Sequence, residues 1–430
     1  MTLPSWFWLI IIGFAAGACS SQRYLTLSLR QAEKEFKNHI GFVLYDPVQR
    51  KTMCDYRGDR YFTPASNTKI FTLYASLVLL GDSIPSLRYS ARGDSLIFWG
   101  TGAPGFLYKY IPQDNRVFNF LKNHPSKLFF SSDNFKTEYF GPGWAWDDYN
   151  DDDQVARTSF PIYGNRATVQ KSGEEFTSIP PVFECTTVPA FDPGENPLMV
   201  RQINGNKLTY TPGKTSRRTK WTIPFHYSDE LLRKLLSDTL KRDVQLISRK
   251  LDADTKTLNA GVPDSLYKVM MQVSDNFIAE QLLLLVANVL SDTLKPEIAI
   301  NFMKKKFLKD VQADLVWVDG SGLSRYNLFT PQSIVWLWNK IYERVPRERL
   351  FSLLPAGGRS GTLRNSYKAD PPFIYGKTGS LRHNHVLSGY LVTKRGRTLI
   401  FSWMNNNFTA SGADLRARME TVLKKIYEKY

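Results

Sequence analysis

Hydrophobic and polar positions near the start of the chain follow two different periods. Residues 41–45 and 51–55 have the pattern of two strands joined by a short turn, which predicts a hairpin. Beyond a polar stretch, apolar residues recur at the spacing of a helix: Ile70, Leu73, Tyr74, Leu77. Thr63 is a suitable N-cap and Pro64 a suitable first helical residue, so the pattern predicts a helix that begins there and stops near Gly81.

Residues 87–261 differ in character from the segments on either side. Short apolar runs at 95–99 and 127–130 stand among loops rich in Gly, Pro, Asp and Asn. Residues 200–210, with Asn204-Gly205-Asn206 near their centre, are typical of a β-hairpin. The pattern predicts a separate β-rich insertion, with one or two subdomains.

Helical periodicity returns after these loops, and the chain ends in strands and a last helix. The predicted helices are 228–242, a stretch from 264 onward that includes 277–285, 331–342 and a terminal helix at 413–430. The predicted strands are 373–380, 386–392 and 398–404. Strands at both ends of the chain, with helices between them, predict an α/β (α+β) fold whose sheet is assembled from both ends.

The composition is that of a globular protein with a strong positive charge. The 430 residues are 43% hydrophobic and 13% aromatic, which suits two or three domains with substantial cores. The formal net charge of +16 is spread over short, scattered clusters of Lys and Arg. No helix-turn-helix, zinc-finger or RNA-binding signature accompanies them, so nucleic acid is not expected as a partner. Attraction to an anionic surface or polymer and a merely solvated basic face both stay open.

The first residues have the pattern of an export signal. Residues 6–16 form an apolar run that is short for a membrane span and is followed by small residues before Cys19. The stretch Ala16-Gly17-Ala18-Cys19-Ser20-Ser21 resembles a bacterial lipoprotein signal. That resemblance implies a signal peptide at 1–18, lipidation of Cys19 and firm attachment to a membrane. An ordinary secreted protein is the alternative.

Cys54 and Cys185 are the remaining cysteines. An exported compartment permits a disulfide between them, and two unpaired thiols fit the sequence equally well. His383 and His385 stand at strand-like spacing, and we interpret them as part of a polar turn in preference to metal ligands. No metal site and no cofactor is predicted.

Ser66 and Lys69 lie at the start of the first predicted helix, one turn apart on the same face. A hydroxyl beside an amine at the positive end of a helix suits a nucleophile. The amine can take the proton of the hydroxyl, and backbone N–H groups stabilise developing negative charge. The motif S-x-x-K is common by chance, and alone it favours a capping serine with a solvated lysine.

Two further motifs fall in suitable places. Ser274-Asp275-Asn276 lies between two predicted helices, where a loop can present a hydroxyl and an amide to a cleft. Lys377-Thr378-Gly379 lies on the first of the late strands. S-x-x-K, S-D-N and K-T-G in this order are the known signature of penicillin-binding proteins and class A β-lactamases. Three motifs in the required order, on a helix, a loop and a strand, make a strong signal.

The sequence resembles the penicillin-binding D-alanyl-D-alanine carboxypeptidases/endopeptidases of the S13 peptidase family, the penicillin-binding protein 4 type of low-molecular-mass class C. Besides the motifs, four stretches carry the resemblance: 62–66, 141–148, 319–325 and 361–364. The long segment between Ser66 and Ser274 suits the insertion of that family and is too long for a class A β-lactamase. The resemblance implies a serine β-lactamase/DD-transpeptidase-like domain, with an antiparallel sheet flanked by helices, from 24–86 and 262–430. The β-rich insertion would span 87–261.

The resemblance also implies catalytic roles. Ser66 would attack the carbonyl between two D-alanines and form an acyl-enzyme that water hydrolyses. Lys69 would be the base, its pKa lowered by the nearby Lys377 and by partial burial. Ser274 would relay a proton to the leaving amine, and Asn276 would bind the substrate amide and help to hold Lys69.

Four neighbouring residues would bind the substrate. Lys377 and Thr378 would hold its terminal carboxylate, and Gly379 would let it lie close along the strand. The N–H groups of Ser66 and Ser380 would form the oxyanion hole.

Three acidic features receive structural interpretations. Glu280 follows Asn276 by one turn and is predicted to form a structural pair. Asp319 with Gly320 is predicted to form a turn that holds the domain together. The acidic run at 147–153 could bind a cation, but a solvated loop is the preferred interpretation.

The predicted function is that of an exported, periplasmic, lipid-anchored serine peptidase that acts on peptidoglycan stem peptides and is inhibited by β-lactams such as penicillin. The alternatives are a serine β-lactamase, a broader serine esterase or D-amino-acid peptidase, and a non-catalytic penicillin-binding or cell-wall-binding lipoprotein. The sequence does not separate carboxypeptidase from endopeptidase action, because both break a bond that ends in a D-centre.

Overall fold

The computed structural model describes residues 22–430 except 193, 216–217 and 312. The predicted signal peptide at 1–18 and Cys19 lie outside the described residues. The strands are β1 (His39–Asp46), β2 (Lys51–Tyr56), β3 (Pro85–Arg92), β4 (Ser95–Trp99), β5 (Lys127–Ser131), β6 (Arg166–Ser172), β7 (Glu175–Ile179), β8 (Glu184–Thr187), β9 (Leu198–Arg201), β10 (Lys207–Thr211), β11 (Lys220–Pro224), β12 (Val244–Leu246), β13 (Lys256–Asn259), β14 (Ile374–Leu381), β15 (Asn384–Val392) and β16 (Thr398–Asn406). The helices are α1 (22–36), α2 (Lys69–Leu79), α3 (Arg116–Asn123), α4 (Asp229–Leu240), α5 (Pro263–Gln272), α6 (Asn276–Ser291), α7 (Pro296–Lys306), α8 (Pro331–Arg344), α9 (Arg347–Leu353) and α10 (Gly412–Lys429).

The central sheet is built from both ends of the chain, as the sequence pattern predicts. Its order is β14-β15-β16-β1-β2, and every neighbouring pair is antiparallel. Strands β1 and β2 form the predicted hairpin, and the three late strands join it through the pairing of β16 with β1. The fold is therefore α+β with an antiparallel sheet.

Helices cover both faces of this sheet because successive strand residues point to opposite sides. On β1, Val43 belongs to the core formed with α2, α5, α6 and α8. Its neighbours Phe42 and Leu44 belong to the opposite core, where α1 and α10 pack through residues such as Leu29 and Leu423. The sheet is thus the middle layer between two helical layers.

The segment between β2 and α5 contains one larger sheet and two small ones. The larger sheet has the order β12-β5-β4-β3-β13 and includes the parallel pairs β4–β5 and β5–β12. Helices α3 and α4 pack with it. The small sheets are β8-β10-β9, which contains the predicted hairpin of β9 and β10, and β11-β6-β7.

Local sequence patterns misplace the start of α2, the first helix that the sequence predicts. Residues 65–68 form a 3-10 turn, and the α-helix begins only at Lys69. Pro64 occupies the N-cap position, no side chain caps the turn, and the predicted capping by Thr63 is wrong. The left-handed backbone of Ala65, with φ of 47°, produces a tighter entry than a capped α-helix.

The described residues contain no helix that is both long enough and apolar enough to cross a membrane.

Candidate active site

The 3-10 turn and the first residue of α2 bring Ser66 and Lys69 together. The Lys69 ammonium lies 2.9 Å from Ser66 Oγ. It also donates to Asn276 Oδ1 at 2.5 Å and to the carbonyl of Ser321 at 2.7 Å. Lys69 is fully buried whereas Ser66 is partly exposed, so the hydroxyl faces the cleft and the amine lies behind it.

Burial lowers the pKa of Lys69 to about 8, because the charged ammonium loses its water. Nearby carboxylates oppose this shift and raise the pKa: Asp319, Glu280, Asp153, Asp275. An amine with this pKa is neutral in a useful fraction of molecules near neutral pH, and a neutral amine can accept the proton of Ser66.

The S-D-N motif forms the wall opposite the turn. Ser274 has a left-handed backbone, with φ of 65°, and Asp275 caps α6 by accepting the N–H of Ile278 at 2.9 Å. Asn276 is the first residue of α6, and its side-chain amide donates to the carbonyl of Asp153 at 2.9 Å. The two contacts of its amide orient this side chain between Lys69 and the loop at 153.

The K-T-G motif lies on β14. Lys377 is buried and donates to Ser274 Oγ at 2.8 Å, while Thr378 Oγ1 donates to Thr362 Oγ1 at 2.8 Å. Burial and the positive charge of Lys69 hold the pKa of Lys377 well below its usual value. Lys377 therefore joins the S-D-N wall to the strand.

Asn67 ties the nucleophile turn to the strand. Its side-chain amide donates to the carbonyl of Lys377 at 3.0 Å, and its oxygen accepts the hydroxyl of Ser388 on β15. Trp338 on α8 donates to the same hydroxyl at 2.8 Å. This chain of buried hydrogen bonds fixes the distance between the turn and the sheet.

Two glycines allow the turn to pack closely on its neighbours. A Cβ atom at Gly379 would lie 2.8 Å from the Pro64 carbonyl and 2.9 Å from the Ser66 N–H nitrogen. A Cβ atom at Gly322 would lie 1.9 Å from the Ala65 carbonyl, and φ there is +86°. The glycine of K-T-G is therefore required by the approach of the nucleophile turn, a role that the sequence interpretation assigned to the substrate.

A cleft of about 330 Å³ joins the three motifs. It is lined by residues of all of them: Ser66, Ser274, Asn276, Thr378 and Ser380. Asp148, Asp151 and Asp153 line the same cleft, so the acidic run borders the candidate site and is not simply a solvated loop. Desolvation and neighbouring carboxylates raise the pKa of both Asp151 and Asp153.

Glu280 forms the predicted structural pair. Its carboxylate lies 2.6 Å from the Arg157 guanidinium, and both side chains are almost completely buried. It also accepts the N–H of Ser321 at 2.7 Å, which positions the carbonyl that receives Lys69.

Asp319 holds a turn, as predicted. Its carboxylate accepts the N–H groups of Gly322 at 2.8 Å and Ser324 at 2.6 Å, and the indole N–H of Trp144 at 2.9 Å. Burial and the charge of Glu280 raise its pKa. Among the residues that the structure describes, no group of three or more His, Cys, Asp or Glu side chains is placed to hold a metal ion.

Residues of the segment between β2 and α5 contact the S-D-N wall directly. Tyr108 donates a short hydrogen bond to Asp275, and the Arg166 guanidinium lies 3.6 Å from the same carboxylate. Arg166 also donates to the carbonyl of Asp152 at 2.9 Å. These contacts attach the acidic border of the cleft to the start of α6.

The cysteines and histidines occupy separate places. Cys54 and Cys185 are both free thiols, and burial raises the pKa of Cys54 to about 12.

His383 contacts the carbonyl of Phe408, while His385 contacts Ser380. His383 lies in the turn between β14 and β15, as interpreted. His385 lies on β15 and is buried, so its interpretation as a turn residue is wrong.

The arrangement is suited to acyl transfer through a serine. The Ser66 hydroxyl lies next to the buried Lys69 amine, whose pKa is lowered. A second hydroxyl, that of Ser274, is bonded to the second buried lysine, Lys377. Ser66 and Ser380, whose N–H groups are the predicted oxyanion hole, line the same cleft.

Sequence reasoning missed the supporting partners Asn67, Ser321 and Thr362. Ser321 and Thr362 fall in stretches that carry the family resemblance, 319–325 and 361–364, so that signal marked their neighbourhood without indicating a role. The carbonyl of Ser321 has no signal in the sequence, since any residue type provides one.

Comparison with known proteins agrees with this geometry. Residues 125–426 match the profile of the D-Ala-D-Ala carboxypeptidase 3 (S13) family. The D-alanyl-D-alanine carboxypeptidase DacB of Haemophilus influenzae is 23% identical over 426 residues, which cover 89% of this chain and 88% of the relative.

Solved structures share the fold. The crystal structure of penicillin binding protein 4 (dacB) from H. influenzae superposes with a TM-score of 0.75 at 19% identity, over 93% of this chain and 98% of that one. The same protein in complex with a β-lactam gives a TM-score of 0.69 at 19% identity, over 91% of this chain and 97% of that one.

Proposed function

The chain belongs to the D-Ala-D-Ala carboxypeptidase (S13) family, and from that premise we propose that it is a serine DD-peptidase with Ser66 as its nucleophile. Its substrates are peptidoglycan stem peptides that end in D-Ala-D-Ala or are cross-linked through D-alanine. The observation that carries the proposal is the contact of the buried Lys69 amine with Ser66 Oγ at 2.9 Å, at the base of a cleft lined by S-D-N and K-T-G.

The first step forms an ester on the enzyme. Neutral Lys69 takes the proton of Ser66 while Oγ attacks the carbonyl of the penultimate D-alanine. The N–H groups of Ser66 and Ser380 stabilise the oxyanion. The C–N bond then breaks, and the proton that Lys69 took passes through Ser274, which is bonded to Lys377 at 2.8 Å, to the departing amine. Lys69 is then neutral again for the second step.

The remaining residues orient the substrate. Lys377 and Thr378 bind the terminal carboxylate, and Asn276 binds the amide that precedes the reacting carbonyl. In the second step water attacks the ester, its proton returns through Lys69, and Ser66 is released with the shortened peptide. A β-lactam acylates Ser66 by the same route.

We also propose a division into a catalytic part, 24–86 with 262–430, and an inserted region at 87–261. The strand pairings support it, since strands β3 to β13 pair among themselves whereas β14, β15 and β16 form one sheet with β1 and β2. The insertion would hold the acidic border of the cleft through Arg166 and Tyr108.

The proposed location is the periplasm, with a lipid anchor on Cys19 after removal of residues 1–18. The small residues before Cys19 and the apolar run support this proposal. Labelling cells with a radioactive fatty acid tests it: the wild type should carry label, and Cys19→Ser should not. Label on Cys19→Ser or none on the wild type contradicts it.

The central experiment is incubation with a fluorescent penicillin, followed by denaturing electrophoresis. The wild type should give a persistent band that Ser66→Ala lacks, and Ser352→Ala, which changes an exposed serine on α9, should retain it. No band with intact penicillin would indicate a non-catalytic protein. No band with consumed penicillin would indicate a β-lactamase.

A peptide assay then tests the substrate. Release of D-alanine from a stem peptide ending in D-Ala-D-Ala, abolished in Ser66→Ala, is the expected result. Equal activity on a peptide ending in D-Ala-L-Ala would indicate the broader esterase or peptidase.

A further inference from the structure

His385 lies directly behind the cleft residue Ser380. The two residues face each other across the antiparallel pair β14–β15. Ser380 Oγ lies 2.8 Å from His385 Nδ1. Ser380 is exposed and lines the cleft, whereas His385 is only 5% exposed. The imidazole therefore contacts the rear of a hydroxyl whose front faces the substrate.

The surroundings fix His385 in place. Its carbonyl accepts the side-chain amide of Asn405 on β16 at 3.1 Å. The oxygen of that amide accepts the Trp403 indole N–H at 3.1 Å and the Asn38 amide at 3.3 Å. These bonds hold the backbone of His385, and its burial leaves the imidazole few other positions.

The imidazole is neutral under physiological conditions. Burial and the positive charge of Arg416 lower the pKa of His385 to about 4. A neutral imidazole carries one N–H, so the bond between Nδ1 and the hydroxyl can be made in two ways. Either Ser380 donates its proton to Nδ1, or Nδ1–H donates to Ser380 and leaves the hydroxyl proton free.

Only the second arrangement suits a carboxylate in the cleft. If Ser380 donated inward, its lone pairs would face the negative oxygens of the substrate and repel them. If Nδ1–H donates to Ser380 Oγ, the hydroxyl proton can point outward and bond to the carboxylate, and a bond to a charged acceptor is stronger than a neutral one.

We infer that His385 is a positioning residue that holds the Nδ1–H tautomer, donates to Ser380 Oγ and thereby aims the Ser380 hydroxyl at the terminal carboxylate of the substrate. The inference rests on the proposed function for the identity of that carboxylate. It assigns to His385 a task that the three motifs do not contain.

His383 offers a matched control. It stands two residues away in the turn between β14 and β15, is exposed, and contacts the carbonyl of Phe408 at 2.9 Å. Its φ of 67° is tolerated by Asn, so His383→Asn and His385→Asn make the same chemical change at neighbouring positions.

The kinetic test measures the second-order rate constant of penicillin acylation and the kcat and KM for a D-Ala-D-Ala peptide. His385→Ala should lower the rate constant of penicillin acylation about tenfold. With the peptide, it should raise KM more than it lowers kcat. His385→Asn should recover most of the acylation rate, because its side-chain amide can donate near the former Nδ1. His383→Asn should match the wild type.

A double variant separates positioning from general structure. If His385 acts through the Ser380 hydroxyl, His385→Ala combined with Ser380→Ala should be no slower than Ser380→Ala alone. If the fold-losses of the two single variants multiply in the double variant, the inference is overturned. An unchanged acylation rate in His385→Ala also overturns it.

Nitrogen NMR of protein labelled with ¹⁵N-histidine reads the tautomer without any turnover. The chain has five histidines, and the resonances lost in His385→Asn identify the one concerned. A protonated Nδ1 that does not titrate above pH 5 is expected. A protonated Nε2 with a bare Nδ1 overturns the inference even if Ser66 proves to be the nucleophile. A wild type that penicillin never labels overturns the proposed function instead, and the tautomer is still read.

Discussion

Two opposing influences set the pKa of Lys69, the proposed base. Complete burial lowers its pKa, and four carboxylates from separate parts of the chain limit the fall to about 8. At pH 7 roughly a tenth of the molecules then hold a neutral amine, compared with a negligible fraction for a lysine in water. Burial is the largest cause of this shift, and it is one of the two causes that the sequence interpretation named.

The acylation rate should therefore rise with pH and reach half its maximum near pH 8. Only neutral Lys69 can take the proton of Ser66, so the rate should fall about tenfold per pH unit below that value. Asp153→Asn removes a charge that raises the pKa of Lys69, so this variant should shift the rise to lower pH. The second-order rate constant with penicillin, measured from pH 5.5 to 10, checks both.

Asp147→Asn is the control for this series, because Asp147 is exposed and is not among the charges that act on Lys69. Its profile should coincide with that of the wild type. A flat wild-type profile, or a shift of Asp153→Asn to higher pH, would contradict the assignment of the base.

At this scale the motifs predicted which residue types would meet, and the structure brings Ser66, Lys69 and Asn276 within hydrogen-bond distance. The acidic residues that tune Lys69 could not be predicted. Asp319 and Asp153 lie far apart in sequence and reach the amine only through the packing of separate segments.

At the scale of the elements, the entry turn of α2 is tightly enclosed. It packs between β14 and the turn at 319–324, with glycine at both points of closest approach. Neither approach leaves room for a methyl group.

Gly322→Ala should destabilise the protein by about 3 kcal/mol or more, because the methyl group would overlap the Ala65 carbonyl and the backbone is left-handed. Penicillin labelling should fall with it, since the displaced carbonyl belongs to the residue before Ser66. Denaturant unfolding checks the stability.

Gly396→Ala is the matched control for the backbone contribution. Its φ is +80° but no atom lies within 4 Å of the added Cβ, so only about 1 kcal/mol should be lost and labelling should persist. Equal losses in the two variants would show that packing at Gly322 is not the cause.

Helix α6 depends on a buried ion pair with the insertion. Arg157→Met should destabilise the protein by about 3–5 kcal/mol, because it leaves the Glu280 carboxylate buried without its partner. Arg233→Met breaks an exposed pair with Glu230 on α4 and should leave the unfolding midpoint unchanged. Calorimetry compares the two, and a small loss in Arg157→Met would contradict this account.

The periodicity of hydrophobic positions predicted many of the helices and strands to within a few residues. Among them are α6, α8 and the three late strands β14, β15 and β16. The periodicity failed for the entry to α2 because no local pattern announces a positive φ at Ala65. It also missed the helix α1 at 22–36 and α3, a short helix whose sequence lies between loops.

At the scale of the whole molecule, the cleft and a neighbouring groove carry charges of opposite sign. The acidic border at Asp148 to Asp153 lies on one side. A second groove adjoins the cleft, and Val273 lines both of them. This groove carries three basic side chains: Lys268, Arg359 and Arg364. That groove adjoins Thr362, on the side where Thr378 would hold the carboxylate of the leaving group.

Lys268→Gln combined with Arg364→Gln should lower kcat/KM about fivefold for a cross-linked dimer, whose leaving half carries further carboxylates. Release of free D-alanine and labelling by penicillin should not change, because their leaving groups do not extend into the groove. Lys305→Gln on α7 is the control. An equal fall in dimer cleavage and in D-alanine release would contradict this prediction, because a loss of contacts to the leaving half affects only the dimer.

The assembly of one sheet from both chain ends was predicted from the order of elements alone, and the structure agrees. The docking of the insertion was not. Its contacts with α6 join residues more than 100 positions apart, such as Arg157 and Glu280, and no periodicity links such positions.

The order of strands in the sheet has a consequence for synthesis of the protein on the ribosome. Asn67 and the carbonyl it binds at Lys377 are 310 positions apart, so the nucleophile is translated long before its partners. A chain that stops before β14 carries Ser66 without the carboxylate site or the second lysine. On the proposed mechanism, copies that end before β14 are therefore expected to be inert toward the wall, and activity is expected only after most of the message has been read.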